Sequence, residues 1–132
     1  MPRGQSRPMD FTKLDRIKQL SGRAIEDRRK RLRMTQPDLA RSAGLGERWV
    51  REIEGGSPSA SIDDHFKCAF AAGLPASYLF VLILCMDYRL QIPSLLVMDD
   101  LEGIERLCVE TIGEFVMSRL ARDLRRVEDT GA

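Results

Sequence analysis

Histidine is almost absent from this 132-residue chain, with His65 its one imidazole, and its three cysteines, Cys68, Cys85 and Cys108, lie far apart. No C-x-x-C spacing occurs. A zinc site needs clustered thiolates and imidazoles, and a disulfide framework needs paired cysteines, so neither is expected. Cys68 and Cys108 fall on apolar helix faces and read as core thiols in a reducing compartment. A lone histidine also leaves no Ser/His/Asp set and no paired metal ligands, and no glycine-rich phosphate loop follows a strand. The sequence gives no reason to expect an enzyme, a metal or any other cofactor.

Long hydrophobic runs are missing too. Residues 68–86 form a stretch of nineteen positions without a charge, about the length of a membrane span. Gly73-Leu74-Pro75 interrupts that stretch, and the unbroken apolar run, residues 78–86, is only nine long. Such a run suits a buried helix rather than a bilayer crossing, so no membrane partner is expected. The first eight residues contain no apolar leader core, and neither a signal peptide nor export from the cytoplasm is expected. Arg3 and Arg7 in this arm can touch a polyanion, although most such tails are simply solvated.

What the chain has is charge, unevenly placed. The formal net charge is +1, yet residues 1–54 hold fourteen Lys/Arg against eight Asp/Glu, net +6, and residues 55–132 hold seven against twelve, net −5. A basic half is what a phosphate-bearing partner requires. The acidic half needs another role.

Within the basic half, residues 34–56 read as two short helices joined by a tight turn. Thr35 is a good N-cap, and Asp38 three residues on completes an acidic capping box. Pro37 falls in the first turn, where its missing N–H costs nothing. Leu39 and Ala40 point inward, Ala43 closes the helix, and Gly44 supplies the left-handed backbone of the turn. Leu45 fills the gap. The second helix runs from about Glu47 to Glu54 with Val50 and Ile53 on its buried side, leaving Glu47, Arg48, Arg51 and Glu52 outward.

Arg29, Thr35-Gln36-Pro37-Asp38-Leu39-Ala40, Gly44 and Ile53-Glu54-Gly55-Gly56 together make this stretch resemble the Cro/phage-repressor helix-turn-helix family, the xenobiotic-response-element type. The resemblance spans roughly residues 21–80. It implies a bacterial or phage-type, nucleoid-associated DNA-binding regulator that lays its second helix in the major groove of double-stranded DNA. By position it puts Gly46, Glu47, Arg48 and Glu52 against base edges and Gln36 against phosphate. It also pairs Arg29 with Glu54, a buried ion pair whose role would be register rather than net stability. The chain departs from the family at Gly46, where Ser or Thr usually caps the second helix, and at Gly55-Gly56, whose N–H groups are then open to phosphate.

The residue chemistry sharpens these roles. The Arg48 guanidinium can grip O6 and N7 of guanine in a bidentate fork, or else hold phosphate. Glu47 can accept from cytosine N4 or orient Arg48 or Arg51, and Arg51 is most simply a phosphate clamp. Trp49 either packs on the sugar-phosphate wall or belongs to the core.

The rest of the chain reads as helix. Phe11, Leu14 and Ile17 suggest a short first helix to about Leu20. Ser21 then offers a cap for a helix from Gly22 to about Arg33, with Ile25, Arg29 and Leu32 on one face. Ser61 caps a further helix with Asp64 at its third position and Ile62, Phe66, Ala69 and Phe70 as its apolar stripe. His65 on that helix is expected at the surface or in packing. Gly73 ends it, and Pro75 opens another helix through Tyr78, Leu82 and Ile83 to about Tyr88. Pro93 forbids an uninterrupted continuation. Asp99 is a plausible cap for a long final helix of about seven turns whose stripe runs through Leu101, Ile104, Cys108, Ile112, Phe115, Leu120, Leu124 and Val127.

The expected fold is all-α: a five-helix Cro/phage-repressor-like helix-turn-helix domain with a C-terminal helical dimerisation extension. Residues 1–20 form an arm and short helix, 21–80 the DNA-binding domain, and 81–132 the extension. The leading functional expectation is a homodimeric repressor on an inverted repeat, paired through Leu82, Ile104, Cys108, Ile112 and Phe115. The alternative is an antitoxin or anti-activator type of component whose C-terminal helices bind another protein. The acidic half leaves RNA polymerase or a second protein open as a partner.

Overall fold

The computed structural model describes residues 9–90 and 100–131, with side chains from residue 13 onward. These residues form six helices and no strands: α1 (Met9–Arg31), α2 (Gln36–Ala43), α3 (Glu47–Glu54), α4 (Ile62–Ala71), α5 (Ser77–Asp87) and α6 (Leu101–Thr130). The chain divides into two units, residues 1–99 and 100–132. The boundary expected at 80/81 falls inside α5, which belongs to the first unit. Arg3 and Arg7, the Phe11 side chain, the apolar Ile92/Leu95/Leu96/Val97 segment, the Pro93 break and the expected Asp99 cap lie outside the described residues.

In the first unit, α1 packs against α3, α4 and α5, and α2 packs against α3 and α4. Ile25, Leu39, Val50, Ile53, Cys68, Ala69 and Tyr78 are fully buried at the centre. The two helices expected before Arg33 are one helix of 23 residues, because Ser21 does not cap anything. Its hydroxyl is buried and committed sideways, to His65 Nδ1 at 2.7 Å and Tyr78 OH at 2.8 Å. Gly22, next to it, allows α1 to touch the end of α3: a Cβ there would stand 2.7 Å from the Glu54 carbonyl oxygen. A glycine inside a helix costs about 1 kcal/mol relative to alanine, and here that cost secures a close helix–helix approach.

All five described helices of this unit end in the same way. In each, one residue beyond the helix takes the left-handed conformation (Arg33, Gly44, Gly56, Gly73 and Arg89), and paired N–H groups turn back onto the last-turn carbonyls. Leu32 and Phe70 do not join the core as expected. α1 stops at Arg31 and leaves Leu32 beyond its end, while α4 turns His65, Cys68 and Ala69 inward instead. Phe70 stacks on Phe66, and Phe66 meets Tyr78 edge-on at 6.1 Å. Leu82 is buried within the single chain, so it is a core residue and not the exposed dimer contact expected of it.

The second unit is α6, 30 residues long and capped by Asp100, whose carboxylate accepts from the Gly103 N–H at 3.2 Å. Asp100 fills the role expected of Asp99. Ile112 and Phe115 are 60% and 65% exposed, and Ile104 and Cys108 are half-buried.

His65 supplies a test of the core. Its ring is fully buried, its Nδ1 meets Ser21, and its Nε2 has no hydrogen-bond partner among the described residues. Burial, reinforced by the Lys18 charge, lowers its pKa to about 4 from 6.5. The unfolded chain therefore binds the extra proton first as pH falls, and stability declines between pH 6.5 and about 4, then levels off. The expected contribution is roughly 2–3 kcal/mol. Denaturant melts of wild type and His65→Gln across that window check it, and the variant should show a flatter pH dependence.

Candidate nucleic-acid interface

The exposed face of α3 is the candidate site, and three neighbours fix its position. At its start, Gly46 takes an extended conformation and caps α3 with no side-chain hydrogen bond, as the sequence suggests. A glycine cap is only a few tenths of a kcal/mol weaker than serine, so the helix survives it. On its flank, Trp49 Nε1 donates to Asp64 Oδ2 on α4 at 2.7 Å. The Trp49 ring is half-buried, and its polar edge ties α3 to α4.

At its end, Glu54 is buried and anchors α1 and α2 together. Arg29 Nε donates to Glu54 Oε2 at 2.6 Å and its Nη2 to Oε1 at 3.1 Å, a bidentate pair. Arg29 Nη1 donates to the Met34 carbonyl at 2.9 Å, holding the chain between α1 and α2. Hydrogen bonding to Glu54, against the opposing effect of burial, raises the Arg29 pKa further above its ordinary value. Gln36 Nε2 also donates to Glu54 Oε1, at 3.0 Å. Gln36 is therefore half-buried in the anchoring cluster and does not simply face outward from the start of α2.

The turn between α2 and α3 follows its local signals. Thr35 accepts from the Asp38 N–H at 3.1 Å, and Asp38 accepts from the Thr35 N–H at 3.0 Å. Those hydrogen bonds lower the Asp38 pKa, the one to the Thr35 backbone first. Gly44, at φ 70°, ends α2, and Leu45 N–H returns to the Ala40 carbonyl at 2.9 Å.

Outward from this frame stand Glu47, Arg48 and Arg51, exposed, with Glu52 half-buried. Arg51 and Glu47 face each other at 3.8 Å across one turn, a solvated pair. Arg48 makes no hydrogen bond or ion pair among the described residues, so its guanidinium keeps all its donors for a ligand. Arg48, Arg51, Glu52, Gly55 and Ser57 line an open concavity of about 380 Å³. Its walls are charged and polar, which suits a polyanion better than an apolar ligand.

The Gly55-Gly56 pair does not leave its N–H groups open for phosphate. Gly55 N–H goes to the Arg51 carbonyl at 2.9 Å, Gly56 N–H to Ile53 at 3.0 Å and Ser57 N–H to Glu52 at 3.0 Å. Gly56 is required for another reason: its φ is 76°, and a Cβ there would stand 2.8 Å from Gln19 Cα. The sequence reading missed this contact with α1, along with the Trp49–Asp64 bond. The Ser21–His65 pair has the reach of a nucleophile and its base, and both side chains are fully buried.

Removing the Glu54 carboxylate strands a buried cation. Glu54→Ala is expected to cost about 3–5 kcal/mol, whereas the double replacement Arg29→Met, Glu54→Leu should cost far less. Urea unfolding of both variants checks the contrast, and equal losses would show that the pair contributes only volume.

Comparison with known proteins yields no match for this chain, whether among protein families, curated proteins or solved structures.

Proposed function

We propose that this chain is a sequence-specific DNA-binding regulator of the Cro/phage-repressor type, acting as a homodimeric repressor on an inverted repeat. The observation that carries the reading is the exposed face of α3. Trp49–Asp64 holds its flank and Arg29–Glu54 its end, while Arg48 makes no hydrogen bond or ion pair among the described residues. A rigid helix with a free guanidinium is the arrangement that reads guanine in a major groove. The charge division supports it, since the net +6 half contains α3. Arg51 supplies phosphate contact, Glu47 and Glu52 border the base edges, and Gln36 acts through its hold on Glu54 as much as through phosphate.

Two-fold pairing follows from specificity. One helix touches only a few base pairs, which is little discrimination against a genome of competing sites. Pairing two copies on half-sites about 34 Å apart solves this. The exposed apolar side chains of α6, Ile112 and Phe115 among them, supply a pairing surface. The same exposure favours a second reading, an antitoxin or anti-activator type of component whose α6 binds another protein.

Selection from a random duplex pool, followed by affinity measurements over single-base variants of the winner, tests the proposal. Arg48→Ala should lose roughly 1–3 kcal/mol and relax preference at one base pair per half-site. An equal loss on every sequence moves Arg48 to phosphate. Failure to select any duplex would sink the DNA reading and leave the protein-binding one.

A further inference from the structure

The second unit has no core of its own, and its charge is divided lengthwise. Between residues 101 and 115, Glu102, Glu105, Glu110 and Glu114 stand against Arg106, net −3. Between residues 116 and 130, Arg119, Arg122, Arg125 and Arg126 stand against Asp123, Glu128 and Asp129, net +1, with all four arginines between 119 and 126. The helix macrodipole does not account for this. Its influence fades beyond the terminal turns, whereas Glu110, Glu114 and Arg119 sit mid-helix, and the last turn carries no basic residue at all.

Apolar side chains cross both halves. Ile112, Val116, Leu120 and Leu124 are each at least half exposed, at four-residue steps along the helix. Gly113 stands among them at the middle. A Cβ on it would meet nothing within 4 Å among the described residues, although a glycine at this place weakens the helix by about 1 kcal/mol. A neighbouring helix crossing close to this point calls for one.

We infer that α6 pairs antiparallel with α6 of a second copy, crossing near residues 113–116. In that orientation each acidic half lies along the partner's basic half, and each apolar segment covers the other. Parallel pairing would set the two acidic halves, Glu102 to Glu114, side by side, which is destabilising. The partner's Gly113 then sits beside Phe115 and Val116, where the backbones come closest. This inference rests on the dimeric assembly proposed above and adds its orientation, and it is independent of whether the dimer binds DNA.

Cys108 reports the orientation directly. In the antiparallel pair, two Cys108 residues stand about 20 Å apart along the axis, at a 1.5 Å rise per residue. In a parallel pair they would lie side by side, within reach of a disulfide. Cys68 does not interfere, because it is fully buried and burial pushes its thiol up to about 12. The experiment uses the full chain without DNA, carrying Cys85→Ser, oxidised with copper phenanthroline and run on a non-reducing gel. Sedimentation velocity gives the mass alongside.

The expected result is a species of twice 15.0 kDa in solution that does not cross-link through Cys108 alone. Adding Leu120→Cys, which stands opposite Cys108 in this register, should produce a cross-linked dimer, and removing Cys108 by Cys108→Ser from that variant should abolish it. Cross-linking through Cys108 alone would mean a parallel pair and overturn the orientation while leaving the dimer standing. A monomeric mass, or a dimer that cross-links in none of these variants, overturns the pairing of α6. Neither outcome touches the DNA-binding reading, which the duplex selection tests separately.

Discussion

Glu54 is where three helices of the first unit are held to one geometry. Its two carboxylate oxygens receive Nε and Nη2 of Arg29 from α1 and Nε2 of Gln36 from α2, while the residue itself ends α3. A buried carboxylate is stable only when fully partnered, so any shift of one helix would leave a charge without its donors. The penalty is directional, unlike that of apolar contact. Ile25, Leu39, Val50 and Ile53 can slide against one another at small cost, but the bidentate fork cannot. The angle at which α3 meets solvent is set by that demand.

A second polar cluster does similar work deeper in the unit. Ser21, His65 and Tyr78 bring α1, α4 and α5 together through one hydroxyl. Burial holds His65 neutral and raises the Tyr78 pKa, so the cluster carries no charge. The two clusters divide the labour: the ionic one orients the exposed helix, and the neutral one fixes the helices behind it. Between them, Gly22 and Gly56 let backbones approach where side chains would collide.

The two units contrast in how they spend their apolar residues. In the first, Ile25, Leu39, Val50, Ile53 and Tyr78 form a shared buried centre and the surface of α3 is left polar, while Leu14, Phe70 and Phe80 stay exposed. In the second, Ile112, Phe115 and Leu124 stand in solvent on a single helix. Most helical stability in proteins comes from packing an apolar face rather than from propensity. The first unit thus presents charge on α3 over a buried centre, whereas α6 carries exposed apolar side chains.

Local chemistry was legible in the sequence wherever the interacting groups lie within a few residues. The Thr35–Asp38 box and the Ser61 cap follow from side chains reaching backbone three positions away, and the Gly44 turn from glycine's access to the left-handed region. The pairing of Arg29 with Glu54 came through the spaced motif rather than from proximity. What tertiary structure decided was each case in which a residue had two possible partners. Ser21 is as good a helix cap as a core hydroxyl, and only His65 and Tyr78 arriving from α4 and α5 made it the latter, which is why α1 runs unbroken. Trp49 was equally suited to surface and core until Asp64 took its indole N–H. Gly55-Gly56 read as an open loop until its N–H groups closed onto α3 and Gln19 came against Gly56. Sequence determines which groups must be satisfied, and the packing of distant segments determines by whom.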